Sequence, residues 1–214
     1  MPGYTSAKVD FYFLRTNMHI TAVHTDMFAT RLWTFDLSQL SPYFPVWQAA
    51  LETRRKENPI SAGRSNKGGW NSDLTLLTDP VFAPLLETSQ SAVSYVFHQM
   101  LPGRELQFRL EAWANIHDPG AFNERHLHPN VLLSACFYLA VPPGSGAISF
   151  HDPRPAVVAS VFQGAGINTH QKAYIEPHEG MLVLFPNWLE HSVEPHEGQA
   201  PRISIAMNAV SPFQ

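Results

Sequence analysis

The feature that most constrains this chain is a change of period. From residue 104 onward, apolar residues recur at every second position in one short run after another. Each run closes on Pro, Gly or Asn. Alternation of this kind marks half-buried strands. In RELQFRLEAWAN (104–115), Leu106, Phe108, Leu110, Ala112 and Ala114 share one face, while Gln107, Arg109, Glu111, Trp113 and Asn115 share the other. Further strands are expected at 131–141, 146–150, 172–177, 180–186, 191–195 and 202–210. The 18 prolines supply the punctuation. Such a succession predicts an antiparallel sandwich or barrel.

The first half is mixed. Strands are expected at 8–15 and 31–37, and an amphipathic helix at 45–57. The Gly-rich polar stretch 63–73 reads as a long loop, a candidate lid. Asp79 followed by Pro80 has the form of an N-cap with proline in the first turn. A helix of about five turns should run from there to Met100, closed by Leu101-Pro102-Gly103. The expected organisation is one structural domain. Residues 1–103 form strands and helices that pack on a barrel, and residues 104–214 form its core.

Parity shows what the barrel strands face. In 131–141 the odd positions are Val131, Leu133, Ala135, Phe137 and Leu139, and the even ones include Ser134, Cys136 and Tyr138. In 202–210 the odd positions are Ile203, Ile205, Met207 and Ala209, against Arg202, Ser204, Ala206 and Asn208. The second face is not the Lys/Glu/Thr surface of a wet sheet. Small residues with a single Arg, Tyr or Asn suit the lining of a cavity. A barrel with a ligand in its mouth fits this pattern.

Composition excludes several classes. Net charge is −4, and the one basic run, Arg54-Arg55-Lys56, fits a solvated last helical turn, so no nucleic-acid footprint is visible. No apolar stretch is long enough to span a bilayer, and the N-terminus lacks a signal-peptide pattern. A single cysteine, Cys136, rules out an intramolecular disulfide and a cysteine-based zinc site, and it reads as a small buried hydrophobe. The expected setting is cytoplasmic. Oligomeric state stays open, a homodimer included.

The chemistry lies in the histidines. His126 and His128 are two apart, so in an extended segment both imidazoles point the same way. His191 opens a later strand, and Arg202 follows 11 residues on. Two imidazoles from one strand end and a third from a distant strand make a facial set with open positions for iron, zinc or copper. A guanidinium nearby would grip a carboxylate in two-pronged fashion. Metal, open positions and carboxylate clamp together describe a cosubstrate site.

In order and spacing, several segments resemble the Fe(II)/2-oxoglutarate-dependent dioxygenases. They are Trp113-Ala-Asn115, Gly120, Asn123, His126-Leu-His128-Pro129, Ser134, Phe137-Tyr138-Leu139 and Phe150-His-Asp152-Pro-Arg154, then Gly180 to Pro186, His191-Ser-Val193-Glu-Pro195 and Arg202-Ile-Ser204. With SNKGGWNS (65–72), the chain looks more narrowly like the 2OG-Fe(II) oxygenase group of marine bacteria and phages. The resemblance covers the C-terminal half well and the N-terminal third loosely. It implies a mainly β fold with N-terminal helices, a double-stranded β-helix of the jelly-roll, cupin-like kind. It implies Fe(II) held by His126 and His191, with 2-oxoglutarate as cosubstrate and ascorbate as a reductant. Arg202, Ser204 and Tyr138 would take the cosubstrate carboxylate, and Asn208 shares their face. The implied reaction hydroxylates an unactivated C–H of a small-molecule or peptidyl substrate, with release of succinate and CO2. No side-chain acid or base is needed beyond the metal centre.

One position departs from the family. A carboxylate is expected at 128, where this chain has His128. Either His128 is the third ligand, or a carboxylate from elsewhere replaces it, Asp152 above all, or the site holds metal poorly. Two rivals stay open accordingly: a cupin-like three-histidine metalloenzyme without 2-oxoglutarate, and a non-catalytic jelly-roll binding module.

Overall fold

The structure is a computed structural model. It describes residues 6–13, 18–159, 161 and 170–212. Contacts divide the chain into two units, Met1–Arg31 and Leu32–Gln214. The first contains β1 (Ser6–Phe13) and β2 (Met18–Thr25), paired antiparallel from Ser6↔Thr25 to Phe13↔Met18. The expected strand at 8–15 falls largely on β1, and its last two residues lie outside the described ones.

The second unit opens with β3 (Trp33–Asp36) and helix α1 (Phe44–Glu57). Pro45 stands in the first turn of α1, where its missing N–H costs nothing, and Arg54, Arg55 and Lys56 occupy the last turn, where the helix dipole favours cations. That basic run is not merely solvated. Arg54 pairs with Asp79 at 2.7 Å and Arg55 grips Asp118 with two nitrogens, so both residues fasten the helix to later segments. Next come β4 (Asn66–Lys67), β5 (Trp70–Asn71) and α2 (Ala83–Met100). The Asp79 side chain accepts from Val81 N at 3.0 Å, as an N-cap should, but it caps a short 3-10 turn that leads into α2.

The period-2 region folds as β6 (Arg109–His117), β7 (Phe122–His126), β8 (Leu133–Ala140), β9 (Ile148–His151), β10 (Lys172–Ile175), β11 (Met181–Phe185), β12 (His191–Val193) and β13 (Arg202–Val210). Two antiparallel sheets result. One has the order β3-β11-β8-β13-β6-β5, the other β10-β9-β12-β7-β4. This is the mainly β, double-stranded β-helix architecture. Strands β3, β4 and β5, from before residue 103, complete the edges of the two sheets. Among the described residues no helix is long and apolar enough to cross a membrane.

The two parities of β8 and β13 go to different layers. Leu133, Ala135, Phe137, Leu139, Ile203, Ile205, Met207 and Ala209 pack with Phe44, Trp47 and Leu51 of α1 and with Leu85, Val93, Val96 and Phe97 of α2. Tyr138 faces the other way, into a smaller cluster between the sheets with Ile148, Phe150, Val183 and Phe185. Phe137 is the hub of the first layer, fully buried and edge-on to Phe44 and Trp47 at 5.8 and 6.2 Å between ring centroids. Phe137→Ala should therefore lower unfolding stability by about 3–5 kcal/mol, measured by denaturant titration.

His117, at the end of β6, is fully buried and neither ring nitrogen has a partner. Burial first, and Arg202 second, push its pKa down from 6.5 to about 3. The unfolded chain takes up this proton below pH 6.5, and the folded one refuses it until about pH 3. Stability should therefore fall across that window as pH falls, by up to about 1.4 kcal/mol per pH unit for this group. His117→Asn should flatten the slope between pH 6.5 and 5 by about one proton, read from urea titrations at each pH.

Candidate metal centre

The three histidines meet. His126 ends β7 and His191 begins β12, where the strands pair them directly, His191↔His126. His128 lies just past β7, and its backbone N donates to Asn187 O at 3.0 Å. Ring centroids are 4.3 Å apart for His126–His191, 5.1 Å for His128–His191 and 5.2 Å for His126–His128. One ligand nitrogen from each lies within 4.8 Å of the others.

Hydrogen bonds decide which nitrogens those are. His126 Nδ1 faces Glu124 O at 2.7 Å and His191 Nδ1 faces Leu189 O at 3.0 Å. A carbonyl only accepts, so each Nδ1 carries the proton and each Nε2 keeps its lone pair. His128 Nδ1 faces Asn208 Oδ1 at 2.6 Å, to the same effect. Burial lowers all three pKa values, His128 to about 4 and His191 to about 3. The rings are thus neutral at neutral pH, the state in which imidazole binds a metal.

The floor of the cavity holds a cation. Arg202 is 1% exposed, and the same cavity wall carries Ser204, Cys136, Trp113 and Asn115 beside the three histidines. Its Nη1 donates to Gly146 O at 2.8 Å, while its Nε has no partner. Gly146 lies tight against the Glu194–Pro195 backbone, where a Cβ would stand 2.0 Å from Glu194 O. Among the described residues no carboxylate pairs with Arg202. A buried guanidinium without a counter-ion is costly, and an anion in the cavity would offset that cost. The Tyr138 hydroxyl is also buried, with the Cys136 thiol as its neighbour, and burial raises its pKa well above the usual value, which keeps it protonated. Cys136 is likewise pushed up by burial and stays a thiol.

Not every expected residue joins. Asp152 does not belong to the histidine group. Both its carboxylate oxygens bond Arg154, at 3.0 and 2.6 Å, and the pairing holds the acid below its usual range. Asn208 lines the cavity mouth, its Oδ1 lies 2.6 Å from His128 Nδ1, and Ser134 Oγ donates to the same oxygen at 3.2 Å. The 63–73 segment is not a free lid. Its β4 pairs with β7 and its β5 with β6, so it joins the edges of the two sheets. Sequence reading missed Ser65, whose Oγ lies 3.2 Å from His126 Nε2, and the amide chain Asn66–Asn71–Asn115. The clue was the polarity of SNKGGWNS, too small for an exposed loop rich in Lys and Glu.

Residues 111–208 match the family model described as "Putative 2OG-Fe(II) oxygenase". No curated protein matches the chain in sequence. Solved structures share its fold. A Pseudomonas putida prolyl-4-hydroxylase is 19% identical with a TM-score of 0.60, over 86% of this chain and 94% of that one. HygX from Streptomyces hygroscopicus, solved with nickel, 2-oxoglutarate and hygromycin B, is 13% identical with a TM-score of 0.61, over 86% and 84%. The 2-oxoglutarate-dependent epimerase SnoN of nogalamycin biosynthesis is 14% identical with a TM-score of 0.62, over 85% and 78%. The family implies Fe(II) and 2-oxoglutarate, and the donors present fit both: three neutral imidazoles for the ion, a buried unpaired guanidinium for the oxo-acid. The matched segment carries all three histidines and Arg202, so the likeness to that family rests on the candidate site itself.

Proposed function

We propose that the chain is an Fe(II)- and 2-oxoglutarate-dependent hydroxylase acting on an unactivated C–H of a small-molecule or peptidyl substrate in a cytoplasmic setting. One observation carries the reading. Three imidazoles whose Nδ1 atoms face oxygen acceptors, and whose Nε2 atoms keep their lone pairs, share a cavity with a buried arginine that no carboxylate among the described residues pairs. His126, His128 and His191 would hold the metal, and Arg202, with Ser204 and Tyr138 nearby, would hold the far carboxylate of 2-oxoglutarate. When bound, the pair would supply oxidative chemistry with dioxygen as the oxidant: one oxygen atom goes to succinate as CO2 leaves, the other enters the substrate C–H as a hydroxyl, and ascorbate would keep the iron reduced. The protein's own part is to orient. Asn208 and the Glu124 and Leu189 carbonyls fix the rings, and the apolar wall of Ile148, Phe185 and Val193 limits water. Kinship with the group from marine bacteria and phages belongs to the same proposal and rests on residues 65–72.

The three-histidine donor set also suits a cupin-like metalloenzyme that takes its substrate directly on the metal. The unpaired Arg202 favours the oxo-acid, since such an enzyme has no use for a carboxylate clamp.

Metal analysis after anaerobic reconstitution tests the ligand set. His128→Ala should lose Fe(II) while Asp152→Ala keeps it, and the reverse result would move the third ligand to Asp152. Asn208→Ala should weaken metal binding about 10–100-fold, because an unsupported His128 ring loses its orientation. Succinate formation tests the cosubstrate. Arg202→Ala should raise the KM for 2-oxoglutarate about 100-fold, from the loss of two charge-assisted bonds, with little change in Fe(II) affinity. An unchanged KM removes Arg202 from this role.

A further inference from the structure

The mouth of the cavity, about 370 Å³, contains a cation that no carboxylate among the described residues pairs. Arg64 lines this mouth together with Trp113, His126 and His128, and its guanidinium carbon lies 4.9 Å from the Trp113 ring centroid. The other charged groups there are committed. Arg125 pairs with Glu190, and Glu124 pairs with Lys67 at 3.1 Å. Among the described residues no carboxylate pairs with Arg64. Stacking on an indole occupies one face of the guanidinium and leaves its in-plane N–H edges for an acceptor.

Arg64 is also held in place. Its backbone is left-handed, φ 54°, a conformation that residues with a Cβ adopt at a cost and keep only where their surroundings enforce it. The neighbours enforce it here. Asn66 N donates to Gly63 O at 3.1 Å, and Glu124 N donates to Ser65 O at 2.9 Å. The Ser65 hydroxyl accepts from Asn123 Nδ2 at 3.0 Å and touches His126. Arg64 is therefore fixed relative to the histidines.

A second polar group converges on the same space. Asn66 Nδ2 donates to Asn71 Oδ1 at 2.7 Å, and Asn71 Nδ2 donates in turn to Asn115 Oδ1. This chain of amides leaves the Asn115 NH2 as its donating end, and Asn115 lines both the mouth and the inner cavity. With histidine at 128 the centre holds no carboxylate to repel an anion. The walls thus offer donors, one free positive charge and an indole.

We propose that Arg64 is the specificity-determining residue for the primary substrate, a small molecule bearing a carboxylate or a phosphate that sits on the free edge of its guanidinium. This rests on the oxygenase reading for where the chemistry happens, but its charge preference is a binding property. A guanidinium that merely shielded Trp113 would be indifferent to ligand charge.

The test uses the full chain loaded with Ni(II) and 2-oxoglutarate, and reads binding by ligand-observed NMR. The probes are matched pairs: free amino acids against their primary amides, and sugar phosphates against the parent sugars. At least one pair type should show the anionic member bound ten-fold or more tightly than its neutral partner, and which type does so separates carboxylate from phosphate. Arg64→Ala should erase that ratio and Arg64→Lys should retain part of it. Arg64 is exposed, so the variants should fold, which their melting temperatures check. Equal binding of neutral and anionic partners, or a preference undiminished in Arg64→Ala, overturns the assignment. Calorimetric titration of 2-oxoglutarate into the Ni(II) protein is run separately. Failure there sinks the cosubstrate reading, whereas failure of the paired probes sinks only the role of Arg64.

Discussion

Two central strands, β8 and β13, must satisfy two environments at once, and the pleat that lets them do so governs the rest of the molecule. One face of each meets the helices through Phe137, Leu139, Ile203 and Ile205, and the other meets the cavity through Cys136, Arg202, Ser204 and Ala206. Because side chains alternate with period 2, a slip of one residue would exchange the faces. Arg202 would then lie under α1 with no acceptor, and Phe137 would fill the site. Both errors are expensive, so the register that seats the aromatic core also aims the guanidinium.

The histidine cluster obeys a similar economy. Each ring is turned by an acceptor at Nδ1, and the acceptors come from three places: the Glu124 carbonyl on β7, the Leu189 carbonyl before β12 and the Asn208 amide on β13, with Ser134 Oγ also 3.1 Å from His128 Nδ1. Burial keeps the rings neutral without help from any carboxylate. Three neutral donors leave the full charge of a divalent ion for its other ligands, and a dianionic oxo-acid would balance it. A carboxylate at 128 would instead leave a single net charge. The His128 substitution is therefore a change in the electrostatics of the whole cavity, which also has Arg202 at its floor and Arg64 at its mouth.

Much of this was legible along the chain, for identifiable reasons. Alternation in 104–115 and 202–210 reports a pleat directly, because a half-buried strand needs it. Asp79-Pro80 reports a helix start, because the orphan N–H groups there need an acceptor. The helix at 45–57 and the five-turn helix ending at Met100 appear within a few residues of their expected bounds. Other features left no local trace. The Arg55–Asp118 grip joins residues 63 apart, and Asn208 reaches His128 across 80 residues. The 63–73 segment has loop composition because its two strands are only two residues long, too short to show a period, yet they knit the sheet edges together.

The sequence by itself determined the fold class, the two-faced strands and the identity of the groups able to bind a metal or a carboxylate, since these follow from residue type and from the short-range periodicity of the backbone. Only the tertiary structure decided which nitrogen of each histidine keeps its lone pair, that Asp152 is bound to Arg154 and not to the histidine group, and that no carboxylate among the described residues pairs with Arg202 or Arg64. Those are facts about partners. A side chain's partners are set by which distant strands the fold lays beside it, and a hydrogen bond or an unpaired charge exists only after that placement is made.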